Sequence, residues 1–96
     1  MNETKQGIFH FDSKDPIYAE HFPGRPVVPG SLIIWAFTQA LEKNGYVLQA
    51  INLDQFRFRR FIGPGSYRFS LVPLDSGIKC VLYDNHKTVA EGVVRI

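Results

Sequence analysis

The sequence predicts an α+β fold in which a curved antiparallel β-sheet wraps one central buried helix. Three observations carry that expectation. Residues 31 to 43 place apolar side chains in almost every direction around a helical axis, and a helix apolar all round is a buried helix. Beyond residue 50 the chain reads almost entirely as strands parted by Gly, Pro and Asn turns. The chain has 96 residues, enough for one core and not for two, so helix and strands must share it.

Taken in order, residues 7 to 12 alternate weakly and form a first strand. Residues 13 to 30 are a long irregular connection rich in Pro and Gly, and a loop of that length in so small a domain is usually functional. The helix starts near Pro29-Gly30-Ser31, with Ser31 or its neighbour as cap, and runs to about Lys43, where Asn44-Gly45 stops it. Leu32, Ile33, Ile34, Trp35, Ala36, Phe37, Ala40 and Leu41 surround its axis. Residues 50 to 62 put Phe56, Phe58 and Arg60 on one face and Arg57 and Arg59 on the other. Gly63-Pro64-Gly65 turns the chain into residues 66 to 74, where Tyr67, Phe69 and Leu71 alternate with Arg68, Ser70 and Val72. Residues 77 to 83 make another strand, Asp84-Asn85-His86-Lys87 a hairpin connection, and 88 to 96 close the set. There are no repeats or linkers, so residues 1 to 96 are a single domain. Such a sheet leaves an edge strand and part of the helix uncovered, and a dimer is expected.

The composition narrows the function. A formal charge of +2 is mild, yet Arg57, Arg59, Arg60 and Arg68 fall close together in sequence, with Arg25 in the long loop. They read either as a solvated strand face or as a docking patch for an acidic partner. No recognition helix or stacking motif accompanies them, and nucleic acid is not expected. Cys80 is the only cysteine, which excludes an intrachain disulfide and suits a reducing compartment. The polar start Met1 to Gly7 lacks the apolar stretch of a signal peptide. No run approaches the ~20 apolar residues that span a bilayer, and a soluble, cytoplasmic protein is expected. His10, His86 and Cys80 show no ligand spacing, so no metal is expected. Gly63-Pro64-Gly65-Ser66 lacks the lysine and following helix of a phosphate-binding loop.

The chemistry concentrates at residues 21 to 40. His21 sits in a loop stiffened by Pro23, Pro26 and Pro29, with Gly24 and Gly30, and the loop runs straight into the helix. This arrangement can hold an imidazole beside a helix N-terminus, where backbone N–H groups receive a carbonyl oxygen. His supplies a base near working pH without large tuning.

Those residues resemble a known family. His21-Phe22-Pro23-Gly24, Pro26-Val27-Val28-Pro29-Gly30, Leu32-Ile33-Ile34, Ala36 and Gln39 are similar to the loop and central helix of the beta-hydroxyacyl-acyl-carrier-protein dehydratases of the hotdog fold. Phe56-Arg57-Phe58-Arg59-Arg60-Phe61-Ile62-Gly63-Pro64-Gly65 resembles that family's second signature, and Val89-Ala90-Glu91-Gly92 its last strand. The resemblance implies a hotdog domain, working as a homodimer or higher homo-oligomer, with the active site at the subunit interface. It implies a 3-hydroxyacyl thioester substrate on the phosphopantetheine arm of acyl carrier protein, with no other cofactor. His21 would be the base and the Gly30 N–H the oxyanion donor. Phe22, Pro29, Ser31, Trp35 and Gln39 would border the substrate, and Arg57, Arg59 and Arg60 would dock the acidic carrier.

Two departures stand out. The family carries Glu or Asp where this chain has Trp35, and Trp cannot act as an acid. Typical members also have an N-terminal helix and strand without counterpart here, which reads as a shortened version. Asp12, Asp15 and Glu20 precede the loop and are the carboxylates that could stand in for the acid. The expected activity is dehydration of 3-hydroxyacyl thioesters. The alternative is a non-catalytic or half-catalytic subunit that binds acyl thioesters or carrier and pairs with an acid-bearing homologue. Thioester hydrolysis ranks below both, because no carboxylate is evidently placed to hold a water.

Overall fold

The computed structural model describes residues 3–20, 24, 26–46 and 52–95. The chain runs through strand β1 (Lys5–Phe11), a single turn of helix α1 (Ile17–Glu20), the long helix α2 (Gly30–Lys43) and strands β2 (Asn52–Phe58), β3 (Gly65–Leu74), β4 (Gly77–Asp84) and β5 (Lys87–Arg95). The strands form one five-stranded sheet in the order β1-β3-β4-β5-β2, each neighbour antiparallel. The predicted architecture is the observed one, a curved sheet around one long helix.

Local chemistry sets the boundaries. α2 ends in a Schellman arrangement at Gly45 (φ 89°), with the Gly45 N–H donating to the Glu42 carbonyl and the Tyr46 N–H to that of Leu41, both at 3.1 Å. β4 turns into β5 through Asn85-His86, where Asn85 takes φ 57°, a left-handed angle that Asn tolerates better than other side chains.

The helix lies against the concave face through Ile33, Phe37, Ala40 and Leu41, all buried. Phe37 meets Phe9 of β1 edge-on (ring centroids 5.0 Å), Phe69 of β3 (6.0 Å) and Phe56 of β2 (5.9 Å). Phe9 and Phe69 stack at 4.1 Å. Cys80, Leu82, Val89 and Ala90 complete the floor, fully buried. Burial pushes the Cys80 thiol up to about 12. On the convex face Ser70 is also buried, its hydroxyl 3.1 Å from that of Tyr83, over whose ring Arg68 lies.

As expected, the sheet leaves part of the helix uncovered: Trp35 is 58% exposed, because one curved sheet covers only one side of a cylinder. The structure corrects two expectations. The strand expected over 50 to 62 ends at Phe58. A bulge sets its phase, since Asp54 pairs with Val93 and Arg57 with Glu91, leaving residues 55 and 56 opposite Gly92 alone. Finally, Arg68 does not join the other arginines. β3 and β2 are separated by β4 and β5, which at the usual strand spacing is ~14 Å.

Gly92 is what lets Phe56 lie over β5: a methyl group there would meet the Phe56 ring, and its Cα at 2.8 Å. Gly92→Ala is therefore expected to destabilise the fold by about 1–3 kcal/mol through overpacking. A urea midpoint equal to wild type would contradict this.

Candidate functional site

α2 begins with its donors free of side chains. Pro29 is the N-cap, with φ −65° and ψ 147°, and neither a side-chain cap nor an acidic residue occupies the first turn. The Pro29 carbonyl accepts the N–H groups of Leu32 (3.0 Å) and Ile33 (3.2 Å). Gly30 and Ser31 carry the leading N–H groups, the donors that a helix N-terminus keeps for an outside acceptor. Ser31, expected as a possible cap, is the second helical residue and exposed. Pro29 takes the capping position because its ring fixes the φ that a chain entering a helix needs.

The approach to this terminus is anchored. Val28 is buried, and its N–H donates to the Ile62 carbonyl at 2.8 Å. Gly30 abuts the Phe58 ring, which a methyl on Gly30 would approach to 2.9 Å.

Beside the helix runs a groove of about 530 Å³. Leu32, Trp35, Ala36, Gln39, Ala40, Lys43 and Asn44 form one wall, the spacing of a single helical stripe. Residues 7–11 of the edge strand β1, with Asp12 and Asp15 beyond it, form the other, and Phe69 is part of the lining. β1 and β2 point the same way, four antiparallel steps apart. The end of β2 (Phe58) abuts the start of α2 (Gly30), while Phe56 meets Phe37. α2 therefore runs opposite to β2, while Phe9 of β1 meets the same Phe37 from the other flank.

Among the residues singled out from sequence, Trp35 and Gln39 come together in this groove with Asp12 and Asp15. Pro29, Gly30 and Ser31 stand at the head of the same helix but do not line it. His21 and Phe22 lie outside the described residues, as does Arg25. Arg57, Arg59 and Arg60 are exposed, and Arg59 Nε is paired with Glu91 Oε2 at 2.9 Å. His10 Nδ1 lies 2.9 Å from Ser66 Oγ. Among the described residues no cluster of His, Cys, Asp or Glu is grouped to hold a metal ion, and no helix is long and apolar enough to cross a membrane. Lys43 was not singled out, although its place in the series 35, 39, 43 puts it on the same helical stripe.

Trp35 is the only tryptophan in the sequence, so emission reports on the groove alone. A saturated decanoyl-pantetheine thioester is expected to blue-shift it by displacing water from the indole. An unchanged spectrum at millimolar ligand would mean that the groove takes no acyl chain.

Comparison with known proteins gives this geometry a family. The family described as ApeI-like, ApeI dehydratase, matches residues 1–89. The 3-hydroxyacyl-acyl-carrier-protein dehydratase FabZ of Herpetosiphon aurantiacus is 31% identical over 96 residues, covering 92% of this chain and 68% of that protein. The FabZ of Paramagnetospirillum magneticum is 32% identical over 74 residues, covering 67% of this chain and 46% of that one. The chain thus spans between about half and two-thirds of these relatives. Among solved structures, the dehydratase heterocomplex ApeI:P from Xenorhabdus doucetiae superposes with a TM-score of 0.73 at 15% identity, over 99% of this chain and 88% of that one. That likeness identifies the fold as a hotdog. The extended loop-and-helix motif, the hotdog sheet and the match over residues 1–89 lead to one conclusion: the chain belongs to the ApeI-like dehydratase family.

Proposed function

We propose that this chain acts on 3-hydroxyacyl thioesters as its dehydratase relatives are named to do, removing a proton from the carbon beside the thioester carbonyl and expelling the 3-hydroxyl as water. The observation that supports this most is the placement of an uncapped helix N-terminus and a groove of mixed lining along one helix. Deprotonation beside a thioester builds negative charge on its carbonyl oxygen. The Gly30 N–H and the helix dipole would stabilise that oxygen as the charge develops. His21, nine residues earlier in the motif, would take the proton. The acyl chain would lie in the groove, at about 0.8 kcal/mol per buried methylene.

The substrate would arrive on the phosphopantetheine of acyl carrier protein, whose acidic surface Arg57 and Arg60 are free to meet. Arg59 is already engaged by Glu91. The working unit would be a dimer or larger, in the reducing cytoplasm.

A second arrangement is favoured by Trp35, which is exposed where the family carries its acid. There the chain is a half-catalytic subunit, and a homologue contributes the acid across the interface. The solved neighbour from Xenorhabdus doucetiae is itself a heterocomplex, which is consistent with this.

Purified protein with 3-hydroxyoctanoyl-pantetheine is expected to form the enoyl thioester, and His21→Ala to lose at least ~100-fold in rate. Product formed equally by both would remove His21 from the mechanism, and free thiol instead of enoyl product would indicate hydrolysis. Arg57→Glu with Arg60→Glu should weaken carrier binding most at low salt. An affinity unchanged across salt concentrations would remove the docking patch.

A further inference from the structure

Phe61 is the most exposed of the large apolar side chains among the described residues, at 88%. The backbone that presents it is held at three points. The Arg59 N–H donates to the Val89 carbonyl at 2.7 Å, the Val28 N–H to the Ile62 carbonyl at 2.8 Å, and the Tyr67 hydroxyl to the Gly63 carbonyl at 2.8 Å. Ile62, the next residue, is buried at 5% exposure. A backbone pinned on both sides thus holds an aromatic ring out in water, where the fold gains little from it. An apolar ring on a preorganised support is the kind of group that serves an interface, because little ordering remains to be done on binding.

What surrounds the ring selects its partner. Arg57, Arg59 and Arg60 are exposed and lie within four residues of it. Glu91 engages Arg59 at 2.9 Å, while Arg57 and Arg60 have no ion pair among the described residues. The patch is an apolar centre with a cationic surround. A second copy meeting it across a two-fold axis would set these arginines against their own counterparts, which like charge disfavours. An acidic surface with an apolar recess fits instead. The location also suits delivery of a substrate, since Ile62 holds Val28, two residues before Gly30 at the head of α2.

We infer that Phe61 is the apolar anchor on which an acidic acyl carrier docks, its ring seating in a recess of the carrier surface. This rests on the carrier-bound thioester reading given above and adds to the arginines a contact that salt does not screen. The two kinds of residue divide the work. Unpaired arginines raise the rate of encounter through long-range attraction. The ring slows departure, because a few aromatic anchors near the centre of an interface carry most of its binding energy.

The test compares wild type, Phe61→Ala and Phe61→Leu. Two probes are titrated: decanoyl-pantetheine, followed by Trp35 emission, and acyl carrier protein bearing the same decanoyl thioester, followed by calorimetry. Phe61→Ala is expected to weaken carrier binding at least ~30-fold, by the same factor at about 0.1 M and about 0.5 M salt. Decanoyl-pantetheine should bind within about twofold of wild type, and Phe61→Leu, which keeps an apolar tip, should retain most of the carrier affinity. Carrier affinity equal to wild type in Phe61→Ala overturns the inference. So does a parallel loss for both probes, which marks a structural role. A change of oligomeric state in Phe61→Ala overturns it too, by placing the ring between copies of this chain. If the wild type binds the carrier no more tightly than decanoyl-pantetheine, docking fails while the thioester reading stands. If it binds neither, that reading fails and the inference falls with it.

Discussion

Phe37 is where helix and sheet become one body. It is 1% exposed and touches an aromatic ring on each of β1, β2 and β3. Edge-to-face contacts of this kind add about 0.5–1.5 kcal/mol each beyond the area they bury. They also fix geometry, since a ring held by three others cannot rotate to suit a helix that slides or rolls. The position of α2 over the sheet, and hence of its N-terminus and outer stripe, follows from that lock. Gly7 belongs to the same arrangement, because a methyl group there would come within 2.6 Å of the Phe69 ring and disturb the stack.

With the helix held in place, its faces divide by role. One face is committed to the core, the flank toward β2 meets Phe58, and the flank toward β1 opens into the groove. The site is therefore a by-product of a size mismatch. A sheet curved enough to cover Phe37 leaves a channel between its edge strand and the helix stripe that the core does not need. The chemistry proposed for this protein needs that channel dry and the helix terminus uncapped. The second condition comes from the backbone frame, with Pro29 at the cap and no side chain on the leading donors.

The bounds of α2 were legible because their causes are local: Pro29 before it, Asn44-Gly45 after it, an unbroken apolar run between. The strand order emerged as a class and not as a register, since the bulge at residues 55 and 56 has its visible cause far away in sequence, at Gly92. The helix wall of the groove was readable from the spacing of Trp35 and Gln39. Its β1 wall was not, because what brings Asp12 into the same groove as Trp35 is the pairing of β1 with β3, far away in sequence. Apolar residues on all sides of α2 pointed to a buried helix that one sheet could not cover completely. Sequence records that a face is apolar, but not whether the same chain covers it.

The placement of Cys80 bears on chemical selectivity. A thioester carbonyl is open to attack by any thiolate, and a protein that holds one close risks acylating itself. This chain has one thiol, on the floor of the sheet beneath the helix and shifted by burial to about 12. Near neutrality its thiolate fraction is on the order of 1 in 10⁵. A thioester entering the groove, as proposed, would thus meet no competing sulfur nucleophile from this chain.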